Sequence, residues 1–280
     1  MVSPSNNAIA PIDAYERALK LREQPFLMPL LEDLSDWRGK RALVFAPHED
    51  DEVLGCGGTI KRLIKIGAKV RIVYITDGSQ GSVKKREGLA DIRKHEAIAG
   101  LEVLGCQDYV FLGFKDGKLE MSKEGVEAVR GELSSFRPHG LFVTHPFDGP
   151  SDHVIASAIV GQALRSYRSD IECFNYEIWN PVLPNRLVDI TGEIGAKEEA
   201  MRKHVSQMEI VDYMHHFKGL NAYRAIYTPG CDYCEAFLKL GREEHILLCN
   251  EALKDPYIVK GGYTKHLRKT GQGQQKVGPL

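Results

Sequence analysis

No stretch of this sequence approaches eighteen uninterrupted apolar residues, so no helix of bilayer length is expected. There is no excess of either charge. Lysine and arginine number 37 against 38 aspartates and glutamates, a net charge of -1, which leaves no field to draw in nucleic acid or an anionic membrane. The start of the chain lacks a basic segment followed by an apolar core and a cleavage site. No Walker A sequence occurs, and after Gly55-x-Gly57 the third glycine of a dinucleotide fingerprint is replaced by Ile60. Cysteine is sparse: Cys56, Cys106, Cys173, Cys231, Cys234 and Cys249 are dispersed through 280 residues that can bury a core without staples. Cys231 and Cys234 form a lone C-x-x-C, half of a structural zinc site or a redox pair, with no second C-x-x-C to complete the former. These absences predict a soluble, cytoplasmic protein with reduced thiols and a small-molecule partner.

The chemistry concentrates in the stretch from Leu43 to Thr59. Residues 43–46 are a short apolar run that reads as a buried parallel strand, and Pro47 argues against continuing its ladder. Gly55, Gly57 and Gly58 predict a tight turn, with Thr59 capping a helix that runs on to Gly67. His48 and Asp51 then stand three apart in a strand-to-helix turn at a carboxyl end, where ligands bind in open α/β sheets. Such a turn can aim both at one cation. An imidazole and a carboxylate suit zinc or ferrous iron, and a further carboxylate beside the metal can take a proton from water. The competing reading is a solvated acidic turn that caps the next helix.

Strands at 68–76, 109–114 and 140–144 alternate with helices at 85–104 and from about Ser122, the first of these carrying Arg93 and Glu96 on its more polar side. The strand at 140–144 leads into a second polar turn, His145-Pro146-Phe147-Asp148-Gly149-Pro150-Ser151-Asp152-His153, before an apolar helix over 154–164. With Ser151 or Asp152 as the cap, His153 would be merely exposed in the first helical turn. Taken with His48 and Asp51, it completes a three-ligand set that leaves a position for water, and Asp152 could orient a ligand from behind. Strands at 173–179 and 187–190 and a charged helix at 193–207 follow, and Tyr213, His215, His216 and Tyr223 lie in a polar, aromatic stretch. The pattern predicts an α/β fold, Rossmann-like, with a mostly parallel sheet, flanking helices and a small C-terminal lobe. Its parts are an amphipathic helical extension at 1–37, a catalytic domain at 38–254, and a tail at 255–280, partly disordered or contacting another subunit.

The motif Ala46-Pro47-His48-Glu49-Asp50-Asp51-Glu52 resembles the Ala-His-Pro-Asp-Asp-Glu hallmark of the LmbE/PIG-L family of metal-dependent de-N-acetylases. Further matches run in order from about residue 41 to 240: Gly55-Cys56-Gly57-Gly58-Thr59, Thr76-Asp77-Gly78-Ser79, Arg93-x-x-Glu96, the 111–119 segment, Thr144-His145-Pro146, Asp152-His153, Tyr176-Glu177-Ile178-Trp179 and Ser206-Gln207. The resemblance implies an LmbE-like catalytic domain and removal of an acetyl group from an N-acetylglucosamine-like amino sugar or a related conjugate. His48, Asp51 and His153 would hold zinc, with ferrous iron as the alternative, and Asp50 would be the general base. Arg93 and Asp116 match substrate-side positions, and the family suggests a homo-oligomer. Two departures stand out. Pro150 occupies the place of a family histidine that assists the oxyanion or protonates the leaving amine, which makes His145 the candidate substitute, and Glu49 replaces the usual proline. Two other readings compete: a non-haem iron oxygenase, which shares the ligand set but not the strand-helix alternation, and a sugar- or nucleotide-binding module that has lost catalysis.

Overall fold

Side chains alternate along the central strands so that each strand feeds two cores, one on either face of the sheet. The computed structural model describes residues 28–81 and 87–254. Its strands are β1 (Leu30–Leu31), β2 (Arg41–Ala46), β3 (Lys69–Thr76), β4 (Asp108–Phe114), β5 (Gly140–Thr144), β6 (Glu172–Tyr176), β7 (Arg186–Asp189) and β8 (Cys234–Gly241). The helices are α1 (Asp51–Lys65), α2 (Leu89–Leu104), α3 (Lys123–Phe136), α4 (Ser151–Leu164), α5 (Ile194–Arg202), α6 (Val205–Met208), α7 (Tyr213–Arg224) and α8 (Arg242–Ala252). On β2, Ala42, Val44 and Ala46 pack with Leu54, Ile60 and Leu63 of α1 and Leu101 of α2, while Leu43 and Phe45 face Val129 of α3 and Ile155 of α4.

All eight strands join one sheet in the order β1-β7-β8-β6-β5-β2-β3-β4, in which only β8 pairs antiparallel with its neighbours. From β2 the chain steps outward to β3 and β4, then returns to pair β5 against the free side of β2. The strand order therefore reverses between β2 and β5. A crevice opens at the carboxyl ends of the two strands at such a point. The C-terminal third adds β7 and β8 to the sheet, with a small apolar cluster of Val182, Leu187, Ala225, Cys234 and Ala236.

Several boundaries differ from the sequence reading. Of the stretch expected to form a helical extension, residues 28–37 hold the edge strand β1 and a short 3-10 turn whose Trp37 is buried; residues 1–27 and the tail at 255–280 lie outside those described. Helix α1 begins at Asp51, not after Thr59, and Gly55, Gly57 and Gly58 flank the non-helical Cys56 that interrupts it. They are there for close packing: a Cβ at Gly58 would stand 2.6 Å from Ile190 Cγ2, and one at Gly55 would collide with the Tyr176 ring. Thr59 is no cap, since its hydroxyl donates to Glu235. Strand β6 stops at Tyr176, and the helix expected over 193–207 is broken into α5 and α6 at His204. Tyr213, His215, His216 and Tyr223 lie on α7, where Tyr213 is buried and the two histidines are exposed.

Candidate metal centre

His48 follows β2 and His153 lies in the first turn of α4 after β5, so the reversal of strand order brings together two imidazoles 105 positions apart. His48 Nδ1 lies 3.1 Å from His153 Nε2 and 3.2 Å from Asp51 Oδ2, and His153 Nε2 lies 3.3 Å from the same oxygen. Tetrahedral ligands held about 2.0–2.1 Å from an ion are separated by about 3.3 Å, so the three donors have the spacing of one face of a zinc or iron site. Asp51 is fixed in this posture by the His48 N–H, which donates to Oδ2 at 2.9 Å. His153 is 1% exposed, which excludes its reading as a solvated first-turn residue, and Pro150 at the N-cap position leaves the helix without a side-chain cap.

Each imidazole is oriented by a carboxylate on its far side. His153 Nδ1 donates to Asp148 Oδ2 at 2.9 Å, and His48 Nε2 donates to Asp116 Oδ1 at 3.1 Å, with Asp152 Oδ2 at 3.5 Å. These bonds turn the lone pairs of Nε2 and Nδ1 toward the triangle, as a metal-ligating histidine requires. Asp152 also accepts from the Gly117 and Leu119 N–H groups, tying α4 to the turn that carries Asp116. Asp148 escaped the sequence reading. Its other oxygen accepts from the N–H groups of Gly149, Trp179 and Asn180, so one buried carboxylate fixes both His153 and the loop after β6. A carboxylate five positions before a candidate ligand was the available signal.

The electrostatics favour positive charge in the triangle. Burial opposes charging both rings, yet bonds to Asp116, Asp152 and Asp51 lift the pKa of His48 well above the ordinary value, and Asp51 and Asp148 raise that of His153. Burial would raise Asp51, but His153 and His48 outweigh it and hold the carboxyl below the usual range. The donor set thus suits a divalent cation.

Asp50 stands at the N-terminus of α1 with φ 145° and ψ -26°, a backbone conformation that side chains rarely adopt. Burial pushes its carboxyl up to about 7, against the pull of the Arg93 guanidinium, whose Nη2 donates to Oδ1 at 3.2 Å. Arg93 is only 2% exposed. It is buried against Asp50, also donating to the Glu49 and Gly78 carbonyls, rather than lying on the polar helix side the sequence suggested. Glu49 is buried beside it, with Oε2 3.6 Å from Arg93 Nε, and burial raises its pKa. Neither of these two atoms has a hydrogen-bond partner among the described residues, nor do the ring nitrogens of buried His204. His145 is buried at the end of β5, where Nε2 donates to the Asn180 carbonyl at 2.9 Å and Nδ1 accepts from the Phe147 N–H at 3.3 Å. Both ring nitrogens thus brace the loops. All six cysteines are free thiols, and no group of potential metal donors among the described residues includes Cys231 or Cys234. A hollow of about 920 Å³ at the opposite, amino ends of the strands, lined by Arg41, Arg137, His139 and Glu172 among others, holds none of these site residues.

The PIG-L family model, described as GlcNAc-PI de-N-acetylase, matches residues 43–164, from β2 to the end of α4. Diacetylchitobiose deacetylase of Thermococcus kodakarensis is 32% identical over 193 residues, covering 60% of this chain and 70% of that one. Among solved structures, N,N'-diacetylchitobiose deacetylase from Pyrococcus horikoshii superposes with a TM-score of 0.67 at 25% identity, over 85% of this chain and 96% of that one. The conserved protein TT1542 from Thermus thermophilus gives a TM-score of 0.64 at 30% identity, over 71% and 94%. The sequence motifs, the strand order that brings them together and these likenesses agree: this chain is a metal-dependent N-deacetylase of the PIG-L, or LmbE-like, family.

Proposed function

We propose that the protein removes the acetyl group from the nitrogen of an amino sugar or a related small conjugate, with zinc held by His48, Asp51 and His153. The observation that carries this reading is the triangle of donors 3.1–3.3 Å apart, with Asp50 adjacent to it in the chain and buried. The names of the relatives, which act on diacetylchitobiose, support the sugar. A divalent cation there supplies Lewis-acid polarisation of the amide carbonyl and lowers the pKa of water to about 7. Asp50, with its carboxyl near 7, takes a proton from the attacking water and returns it to the departing amine, so amide and water become amine and acetate. Arg93 keeps Asp50 in place during both transfers. His145, with both nitrogens engaged by main chain, is assigned to shaping the rim, which leaves Asp50 to serve the leaving group without the imidazole missing at Pro150. Asp116 lies at the outer side of His48 and is assigned to orienting that ligand and bounding the substrate. Six unpaired thiols support a reducing, cytoplasmic setting.

The test is amine release from a panel of N-acetylated amino sugars by the zinc-loaded protein and by Asp50→Asn. The variant should keep its metal and lose at least about a hundredfold in turnover, the usual weight of a general base. Undiminished turnover in Asp50→Asn would remove that role. Because two histidines and a carboxylate also serve iron oxygenases, oxygen uptake by the iron-loaded protein is measured alongside, and none is expected.

A further inference from the structure

Helix α1 is not continuous. Cys56 adopts φ -146° and ψ 22°, outside the helical region, and divides α1 into a first segment that carries Asp51 and a second that runs on to Lys65. In an unbroken α-helix the Gly58 N–H would donate to the Leu54 carbonyl, four residues back. Here that carbonyl accepts from Lys197 Nζ at 2.8 Å, and the Gly58 N–H donates to Glu235 Oε1 at 2.9 Å. The Thr59 N–H and hydroxyl both donate to Glu235 Oε2, at 2.8 and 2.6 Å. The two inserted side chains are themselves joined, Lys197 Nζ to Glu235 Oε1 at 2.7 Å, and the remaining ammonium proton goes to Asn221 Oδ1 at 3.0 Å. Their side chains are 1% and 0% exposed. Each charge meets the helix end that suits it: the ammonium faces a carbonyl closing the first segment, and the carboxylate faces the amides opening the second.

We propose that the Lys197–Glu235 pair is a positioning device for the metal centre, holding α1 broken so that its first turn presents Asp50 and Asp51 to the two histidines. This rests on the assignment of His48, Asp51 and His153 as ligands. A helical stub of one to two turns does not keep its own direction, so its ends decide it. One end is set where the Asp50 N–H meets Glu52 Oε2 at 3.2 Å, and the other where the Leu54 carbonyl meets Lys197. Without the pair, the Gly58 N–H is free to take the Leu54 carbonyl, and the stub turns onto the axis of the second segment, carrying Asp51 away from the triangle. Both members come from outside the residues 43–164 that match the family model: Lys197 from α5 and Glu235 from β8.

The test compares Lys197→Met, the double variant Lys197→Met/Glu235→Leu, and Leu133→Ala, a core truncation on the other face of the sheet, for zinc affinity, thermal melting and steady-state rates. Lys197→Met strands a buried carboxylate and should melt lowest. The double variant removes both charges and restores a helical hydrogen bond, so it should melt above the single one. Its zinc dissociation constant should nevertheless rise about 10- to 100-fold, the effect of disturbing a ligand's support, with kcat falling while KM stays within about twofold. Leu133→Ala should lower the melting temperature and leave zinc affinity unchanged. Wild-type zinc affinity in the double variant, or a loss no larger than that of Leu133→Ala, overturns the proposal. Zinc affinity is read without substrate, so a wild type that binds zinc tightly and hydrolyses nothing counts against the proposed reaction alone, and weakened zinc binding in the double variant still upholds the positioning role.

Discussion

Replacing Asp148 by asparagine isolates the carboxylate that orients His153. One oxygen of Asp148 accepts from three N–H groups, Gly149 and Trp179 at 2.9 Å and Asn180 at 2.7 Å, and the other accepts from His153 Nδ1 at 2.9 Å. An asparagine keeps the three amide bonds only with its carbonyl on that side, which points its NH2 group at Nδ1. Nδ1 must then accept, so the ring proton moves to Nε2, the nitrogen that faces His48 and Asp51. The alternative flip keeps the tautomer but sets an NH2 group against three donors in a buried site. Either way the ligand is spoiled at nearly constant volume. Loss of such an orienting partner weakens metal binding about 10- to 100-fold, or about 1.4–2.7 kcal/mol. Competition with a chromophoric chelator reads the dissociation constant directly, and circular dichroism confirms the fold. A folded Asp148→Asn protein that holds zinc as tightly as wild type would refute the reasoning, because no arrangement of the variant keeps the three amide bonds and also leaves Nε2 with a free lone pair.

Further outcomes follow from packing and from buried titratable groups. Gly58→Ala should cost about 1–3 kcal/mol, since the new Cβ would stand 2.6 Å from Ile190 Cγ2, and chemical denaturation should show the midpoint fall without a change in slope. Burial depresses His204 to about 3 and His245 to about 4. The unfolded chain therefore gains protons below about pH 6.5 that the fold refuses, so these two groups draw stability down as pH drops from about 6.5 to 4, by up to about 2.7 kcal/mol per unit together, while the carboxyls of Asp50 and Glu52, raised by burial to about 7 and about 8, act in the opposite sense. His245→Phe should reduce that slope by about one proton, about 1.4 kcal/mol per unit, whatever its effect on absolute stability; denaturation at pH 4.5, 5 and 5.5 measures it.

The central strands were legible because a strand buried on both faces reads as a continuous apolar run, and β5 was placed from Gly140 to Thr144 without error. The triangle was legible for a related reason: each of its donors lies in the polar turn or first helical turn that follows such a run. Helix α1 was not. Its glycines carry the composition of a turn, but their cause is the approach of Tyr176 and Ile190, and the Gly58 amide finds its partner 177 positions away at Glu235. No local pattern encodes that pairing. Arg93 was misplaced similarly, because a charged residue on a helix reads as solvated until its carboxylate partners are known. The structure also assembles what no motif announced, Asn175, His245 and Cys249 in hydrogen-bonded sequence at 2.9 and 3.4 Å. Burial decides against a thiol nucleophile there, since it pushes the Cys249 thiol up to about 12 and keeps the imidazole neutral.

The left-handed backbone at Asp50 has an evolutionary consequence. A glycine would rest there without strain, whereas an aspartate costs about 1–3 kcal/mol, and the atoms of Glu49, Arg93 and His204 that lack a partner among the described residues lie in the same corner. This corner is where the molecule tolerates weakness for the sake of a carboxylate beside the triangle. Selection for heat resistance alone, with no demand for turnover, should therefore accumulate substitutions at residues 49, 50, 93 and 204 first, and each gain in melting temperature there should be matched by a loss of catalysis.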